Sequence, residues 1–82
     1  MDTGGDGMVQ SEVLIQIGRR LYDQRKKMEL TQEEMAEILE ISATFYGGIE
    51  RGRKRISIEK ILLAYERLGL DPTYLLTGER RS

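Results

Sequence analysis

The chain contains neither cysteine nor histidine. Lack of cysteine excludes a disulfide framework, thiolate metal sites and a thiol nucleophile. Lack of histidine removes the commonest general base and a frequent metal ligand. Carboxylates are plentiful, but the sequence places no pair of them on a buried or concave element. An enzyme is therefore not expected, nor are a metal or a cofactor. No apolar run approaches the roughly eighteen residues of a membrane-spanning helix. The amino-terminal residues also lack the charged-then-apolar pattern of a secretory signal. With no cysteine to oxidise, the expected setting is the reducing cytoplasm, with no membrane partner. At 82 residues the chain is one small domain, able to build a single modest core without covalent or metal staples.

Net charge is also small, at -1, but it is unevenly spread. Asp2, Asp6 and Glu12 fall in the first twelve residues, which hold no lysine or arginine; the remainder of the chain carries +2. Arg51, Arg53, Lys54 and Arg55 crowd together, and Arg19, Arg20, Arg25, Lys26 and Lys27 form a second basic group. Overall charge decides nothing about nucleic acid, whereas local clustering of this kind makes such a partner possible.

Residues 1 to 7, "MDTGGDG", have no apolar periodicity, and residues 1–10 are expected to be a disordered leader, with Met8 an alternative start. From Ser11 the pattern turns helical: Leu14, Ile17, Leu21 and Met28 share one stripe, which Gln24 interrupts. Thr31 and Glu34 have the spacing of a capping box and open a second helix, Gln32 to about Leu39, with Met35, Ala36 and Leu39 facing inward. Ser42 caps a third helix, about 43–51, with Gly52 as its left-handed stop. Ser57 caps a fourth, in which Ile58, Ile61, Leu62, Tyr65 and Leu68 keep helical spacing up to Gly69. Asp71-Pro72 opens a short fifth that ends at Gly78. The expectation is an all-α domain over residues 11–78, a compact five-helix bundle, with residues 79–82 a short tail. Its second and third helices, capped and joined by a sharp turn, have the layout of a helix-turn-helix.

The stretch "RKKMELTQEEMAEILEISATFYGGIERGRKRIS" resembles the lambda-repressor/Cro-type helix-turn-helix DNA-binding domain. The matching positions are Thr31-Gln32, Met35-Ala36, Ile41-Ser42 and Ile49-Glu50-Arg51-Gly52, with Lys54 at the basic position. "IEKILLAYERLGLDPTYLL" is similar to that family's fourth and fifth helices, so the likeness covers roughly residues 14–77. Three positions depart from the pattern: Glu40 stands where the turn is usually glycine, Ile56 replaces a proline, and Gly47 and Gly48 replace residues with side chains.

The resemblance implies a DNA-binding transcription regulator, such as a repressor, that acts as a homodimer on double-stranded DNA, with no small-molecule ligand evident. It puts Ala43, Thr44 and Gly48 toward the bases with Phe45 at the rim, and Tyr46 inward. It puts Thr31, Gln32 and Gly47 toward phosphates and pairs Arg25 with Glu50 as a structural bridge; Arg51, Arg53, Lys54 and Arg55, placed just after the recognition helix, either meet phosphates where the DNA backbone passes or form a solvated charge run. Gln32 is equally a good first-turn helix residue, and Phe45 either touches the groove rim or belongs to a partner surface. None of the base-facing set is Arg, Asn or Gln, the types that make the strongest bidentate base contacts. What remains is contact with thymine methyls, so modest specificity is expected, with a large phosphate share. Bare backbone at Gly47 and Gly48 would let the helix come close to its partner. The rival reading is a protein-interaction module on the same fold, antitoxin-like or a repressor antagonist, favoured by the glycine pair and the Phe45-Tyr46 aromatics. Leu70, Tyr74, Leu75 and Leu76 either form an apolar dimer face or close the core over the first helix.

Overall fold

The computed structural model describes residues 3–80 as five helices: α1 (Thr3–Lys27), α2 (Gln32–Leu39), α3 (Ala43–Glu50), α4 (Ile58–Leu68) and α5 (Pro72–Thr77). No strand occurs among the described residues. The all-α bundle expected from the sequence is thus the observed fold. α1 begins at Thr3, well before Ser11, so most of the expected leader is helical; residues 1, 2, 81 and 82 lie outside the described residues. Once a helix is nucleated, each further residue adds a backbone hydrogen bond, which carries it past the point where apolar periodicity stops.

The helix starts follow the caps in the sequence. The Glu34 amide donates to Thr31 Oγ1 at 3.0 Å and the Thr31 amide to Glu34 Oε1 at 2.9 Å, a complete capping box. Ser42, Ser57 and Asp71 accept from Phe45, Lys60 and Thr73 in the same way. Helix ends need left-handed residues, supplied by Gly69 after α4 and Gly78 after α5. Glu29 and Glu40 fill the same role after α1 and α2, with φ of 59° and 62°. For a residue with a side chain this conformation costs roughly 1–2 kcal/mol. At Glu40 the turn is therefore the one a glycine would make, and Arg67 of α4 braces it. That arginine donates to the Ile38 carbonyl at 2.8 Å and pairs with Glu40 at 2.8 Å.

α1 lies against α3 and α5, α2 against α3 and α4, and α4 against α5. The core where they meet holds Ile17, Leu21, Met35, Ala36, Leu39, Tyr46, Ile49, Ala64, Leu70 and Leu75. Ile56, in the place of the family's proline, packs on its edge. The inward stripe of α1 continues from Leu21 to Arg25, not to Gln24, whose amide nitrogen is buried without a partner. α1 crosses the end of α3 at Gly18: a β-carbon there would meet the Ile49 carbonyl oxygen and lie 2.6 Å from that of Glu50.

On α4 the buried residues are Ile61 and Ala64, with Leu63 and Leu68 partly buried. Ile58, Leu62 and Tyr65, placed in one stripe with them by the sequence, are instead 77%, 50% and 54% exposed. The helix carries two apolar stripes side by side, and α2 and α5 cover only one.

Candidate functional site

The two caps and the Glu40 turn fix α3 against α2. Tyr46 and Ile49 anchor it, both essentially excluded from solvent. Helical spacing then places Thr44, Gly48 and Arg51 on its outer face. Ala43 shares a face with Tyr46 and is half-buried against the core, so it differs from the fully outward position expected. Of the four base-facing candidates, only Thr44 and Phe45 present exposed side chains, Phe45 at 39%.

The inner end of α3 is held by a polar network. Arg25 Nε and Nη2 donate to the two oxygens of Glu50 at 2.6 and 3.2 Å, and Arg25 Nη1 donates to the Leu30 carbonyl at 2.8 Å. Gln32 Nε2 donates to Glu50 Oε1 at 2.9 Å. The Tyr22 ring covers the guanidinium at 5.4 Å. The expected Arg25–Glu50 bridge is therefore present, and it includes Gln32 from the start of α2. This amide braces α3, whereas the resemblance directed it to a phosphate.

The electrostatics follow from burial. Hydrogen bonding to Glu50 raises the Arg25 guanidinium against desolvation, which works to lower it. Burial works to raise the Glu50 carboxyl, but hydrogen bonds from Arg25 and Gln32, with the Tyr46 hydroxyl dipole nearby, outweigh it and hold the group below the usual carboxylate range. Burial, and then the Glu50 carboxylate, push the Tyr46 phenol far above its ordinary value. Its hydroxyl is enclosed beside the pair but outside hydrogen-bond geometry with any partner. Beside the network opens a cleft of about 420 Å³, lined by Arg19, Tyr22, Asp23, Arg25, Gln32, Glu50 and Arg51.

Gly47 and Gly48 do not offer bare backbone, as the sequence suggested; both are buried. A β-carbon on Gly47 would lie 3.1 Å from Arg51 Nη1 and 3.5 Å from Gln32 Oε1. Gly48 lies beneath the stem of Lys54. After α3 the Arg53 and Lys54 amides turn back to the Gly48 carbonyl at 2.8 and 3.2 Å, which folds the basic segment over the helix. Arg51, Arg53, Lys54 and Arg55 are all exposed at this end of α3. Thr31 is exposed at the head of α2, its hydroxyl engaged in the cap.

At the carboxyl end Leu70 and Leu75 close the core, so they form no dimer face. Tyr74 is half-buried under Arg80, 4.0 Å from its ring, and Leu76 is exposed. The exposed apolar stripe lies on α4 instead. Sequence reasoning also missed Gly18 and Arg20, whose Nη1 caps α5 by donating to the Leu75 carbonyl at 3.1 Å. A glycine inside an apolar helical stripe was the available signal for the first, since it costs about 1 kcal/mol unless a close approach requires it.

The helix-turn-helix domain family matches residues 18–81. Among solved structures, the restriction-modification controller protein C.AhdI from Aeromonas hydrophila is similar in sequence and in shape. It is 32% identical with a TM-score of 0.69, and the match covers 76% of this chain and 94% of that one. No curated protein matches the chain.

Proposed function

Because the chain belongs to the helix-turn-helix domain family, of lambda-repressor/Cro type, we propose that it is a DNA-binding transcription regulator that lays α3 in the major groove. The observation that carries this reading is the outer face of α3. Thr44 and Phe45 stand exposed at its start, the N-terminal part that meets base edges, and four cations are folded beside its end. The Thr44 methyl and Phe45 suit thymine methyls, with Ala43 supporting them from the side. Arg51, Arg53, Lys54 and Arg55 supply charge for the flanking backbone, and the Thr31 hydroxyl, an acceptor in the cap, keeps its proton to donate to a phosphate, whereas Gln32 serves by bracing Glu50. The likeness to a restriction-modification controller protein supports a regulatory role rather than an enzymatic one.

A homodimer is the second part of the proposal. One copy offers a single reading helix, and half-sites one turn of DNA apart are the usual route to affinity. The stripe Ile58, Leu62 and Tyr65 on α4 is the surface that suits a twofold partner, since exposed apolar residues in a row can meet their own copies across the axis. The cytoplasm is the compartment proposed, in keeping with a DNA target; no helix among the described residues is long and apolar enough to cross a membrane. The rival protein-interaction reading drew on the glycine pair and on Phe45 and Tyr46; the glycines are covered by Arg51 and Lys54 and Tyr46 is buried, which leaves it the exposed Phe45 alone.

Selection from a random duplex library tests the reading. The expected result is a site of two half-sites enriched in thymine at the contacted positions. Failure to enrich any duplex sequence would reject it.

A further inference from the structure

Thr44 and Arg51 on the outer face of α3 are exposed, yet Gly48 between them is buried. One side chain covers it. A β-carbon added at Gly48 would lie 2.7 Å from Lys54 Cγ, 3.5 Å from its Cβ and 3.9 Å from its Cδ. The cover is held by backbone, since the Arg53 and Lys54 amides both donate to the Gly48 carbonyl. The segment after α3 thus turns back and lays the Lys54 stem in the space that a side chain at position 48 would fill. Any surface that approaches this turn of the helix meets the Lys54 methylenes, with the ammonium two bonds beyond Cδ.

This inference rests on α3 being the groove helix. We propose that Lys54 is a base-reading residue for guanine, with its ammonium donating to O6 and N7 in the major groove in place of the side chain that Gly48 lacks. The ammonium carries three donors and no acceptor. Guanine alone presents two adjacent acceptors on its major-groove edge; adenine offers one beside an amino donor, and cytosine a donor. A lysine on a free stem acts as a mobile point charge suited to phosphate. Lys54 has its stem laid against Gly48 on the groove-facing side of α3, so its ammonium starts from a point within reach of the bases. The same geometry accounts for the glycine, because a side chain at 48 would evict the lysine. Lys54 is thereby taken out of the phosphate set, and one guanine is added to an otherwise thymine-directed half-site.

Random-duplex selection with the wild type, Lys54→Met and Gly48→Ala tests this. Methionine keeps the stem and removes the charge, and at this exposed position it should leave the melting temperature unchanged. The wild type should show one guanine in each half-site. Lys54→Met should lose about 5- to 150-fold of discrimination there, the worth of one good side-chain contact to guanine, with the other positions unaltered. Gly48→Ala, which displaces the lysine by a separate route, should lose the same guanine. The inference is overturned if the wild type selects no guanine, or if Gly48→Ala retains it. It is also overturned if Lys54→Met weakens all sequences equally and lowers the salt slope by about one, the mark of a phosphate contact. A wild type that binds no duplex at all would overturn the groove reading itself, and this inference with it.

Discussion

Replacing Glu50 by alanine should cost the fold a large part of its stability, and the structure sets the size of the loss. The side chains of Arg25 and Glu50 are only 9% and 5% exposed. Truncation removes both bonds from Arg25 to the carboxylate and the one from Gln32. Stranding one member of a buried pair costs roughly 3–5 kcal/mol. Arg25 keeps the Leu30 carbonyl and the Tyr22 ring, which favours the lower end, about 3 kcal/mol. A domain of this length has roughly 4–12 kcal/mol in total, so the loss is between a quarter and three quarters of it. In a domain of this size each kcal/mol moves the melting midpoint by about 4–8 °C, giving a fall of about 12–24 °C. Thermal and urea unfolding followed by circular dichroism at pH 7 measures it. A midpoint within about 3 °C of wild type would show that the pair does not hold α3. The pH dependence is a second reading of the same bond. The folded carboxyl of Glu50 lies below its ordinary value of 4.5, so its contribution is full above that pH and is lost as pH falls through the folded value. Glu50→Gln should be less stable than wild type at neutral pH, with the difference shrinking on acidification. A constant difference down to the acid transition would contradict the assignment.

Gly18→Ala should lower the melting midpoint by an amount equivalent to about 1–3 kcal/mol, since the new methyl meets the Ile49 and Glu50 carbonyls and outweighs alanine's better helix propensity. A raised midpoint in a thermal scan would mean that α1 and α3 can part freely. Arg53→Ala should weaken binding to all duplexes alike and reduce the slope of log K against log salt by about one. A change in base preference would move Arg53 from the backbone to the bases. The proposed homodimer should appear in light scattering of the wild type, and Leu62→Glu should leave a monomer without lowering the melting midpoint, because the side chain is 50% exposed on the uncovered stripe of α4. A dimer that survives the change places the interface elsewhere.

Much of this fold could be read from local signals, because α2 to α5 begin on short-range chemistry. Thr31, Ser42, Ser57 and Asp71 stand at the starts that the structure shows, and Gly69 and Gly78 at two of the ends. The Arg25–Glu50 pair was foreseen through the family pattern alone, since no local rule joins residues so far apart in sequence. What escaped depends on how helices meet. Periodicity marks α4 as apolar on more than one side but does not say which stripe its neighbours cover, so spacing alone does not separate the exposed Ile58, Leu62 and Tyr65 from the buried Ile61 and Ala64. Leu70 and Leu75 were ambiguous for the same reason. The glycine pair shows the limit most clearly. Sequence spacing places Gly48 on the outer face, but only the return of the backbone from Arg53 and Lys54 shows that another residue fills its place. The start of α1 was missed because a helix can extend beyond the residues that anchor it.

Binding of DNA by the outer face of α3 is open to direct measurement. Fluorescence anisotropy with the selected duplex, at 50 and 200 mM salt as the rough working limits, tests it on the wild type and on Thr44→Glu. Three phosphate contacts by Arg51, Arg53 and Arg55 give a slope of about -2.7, hence at least about a 40-fold loss of affinity over that range. Thr44 is exposed, so the glutamate should leave the fold intact while placing a carboxylate against the groove and abolishing specific binding. Affinity that ignores salt, or a folded Thr44→Glu protein that binds as tightly as the wild type, would contradict the account.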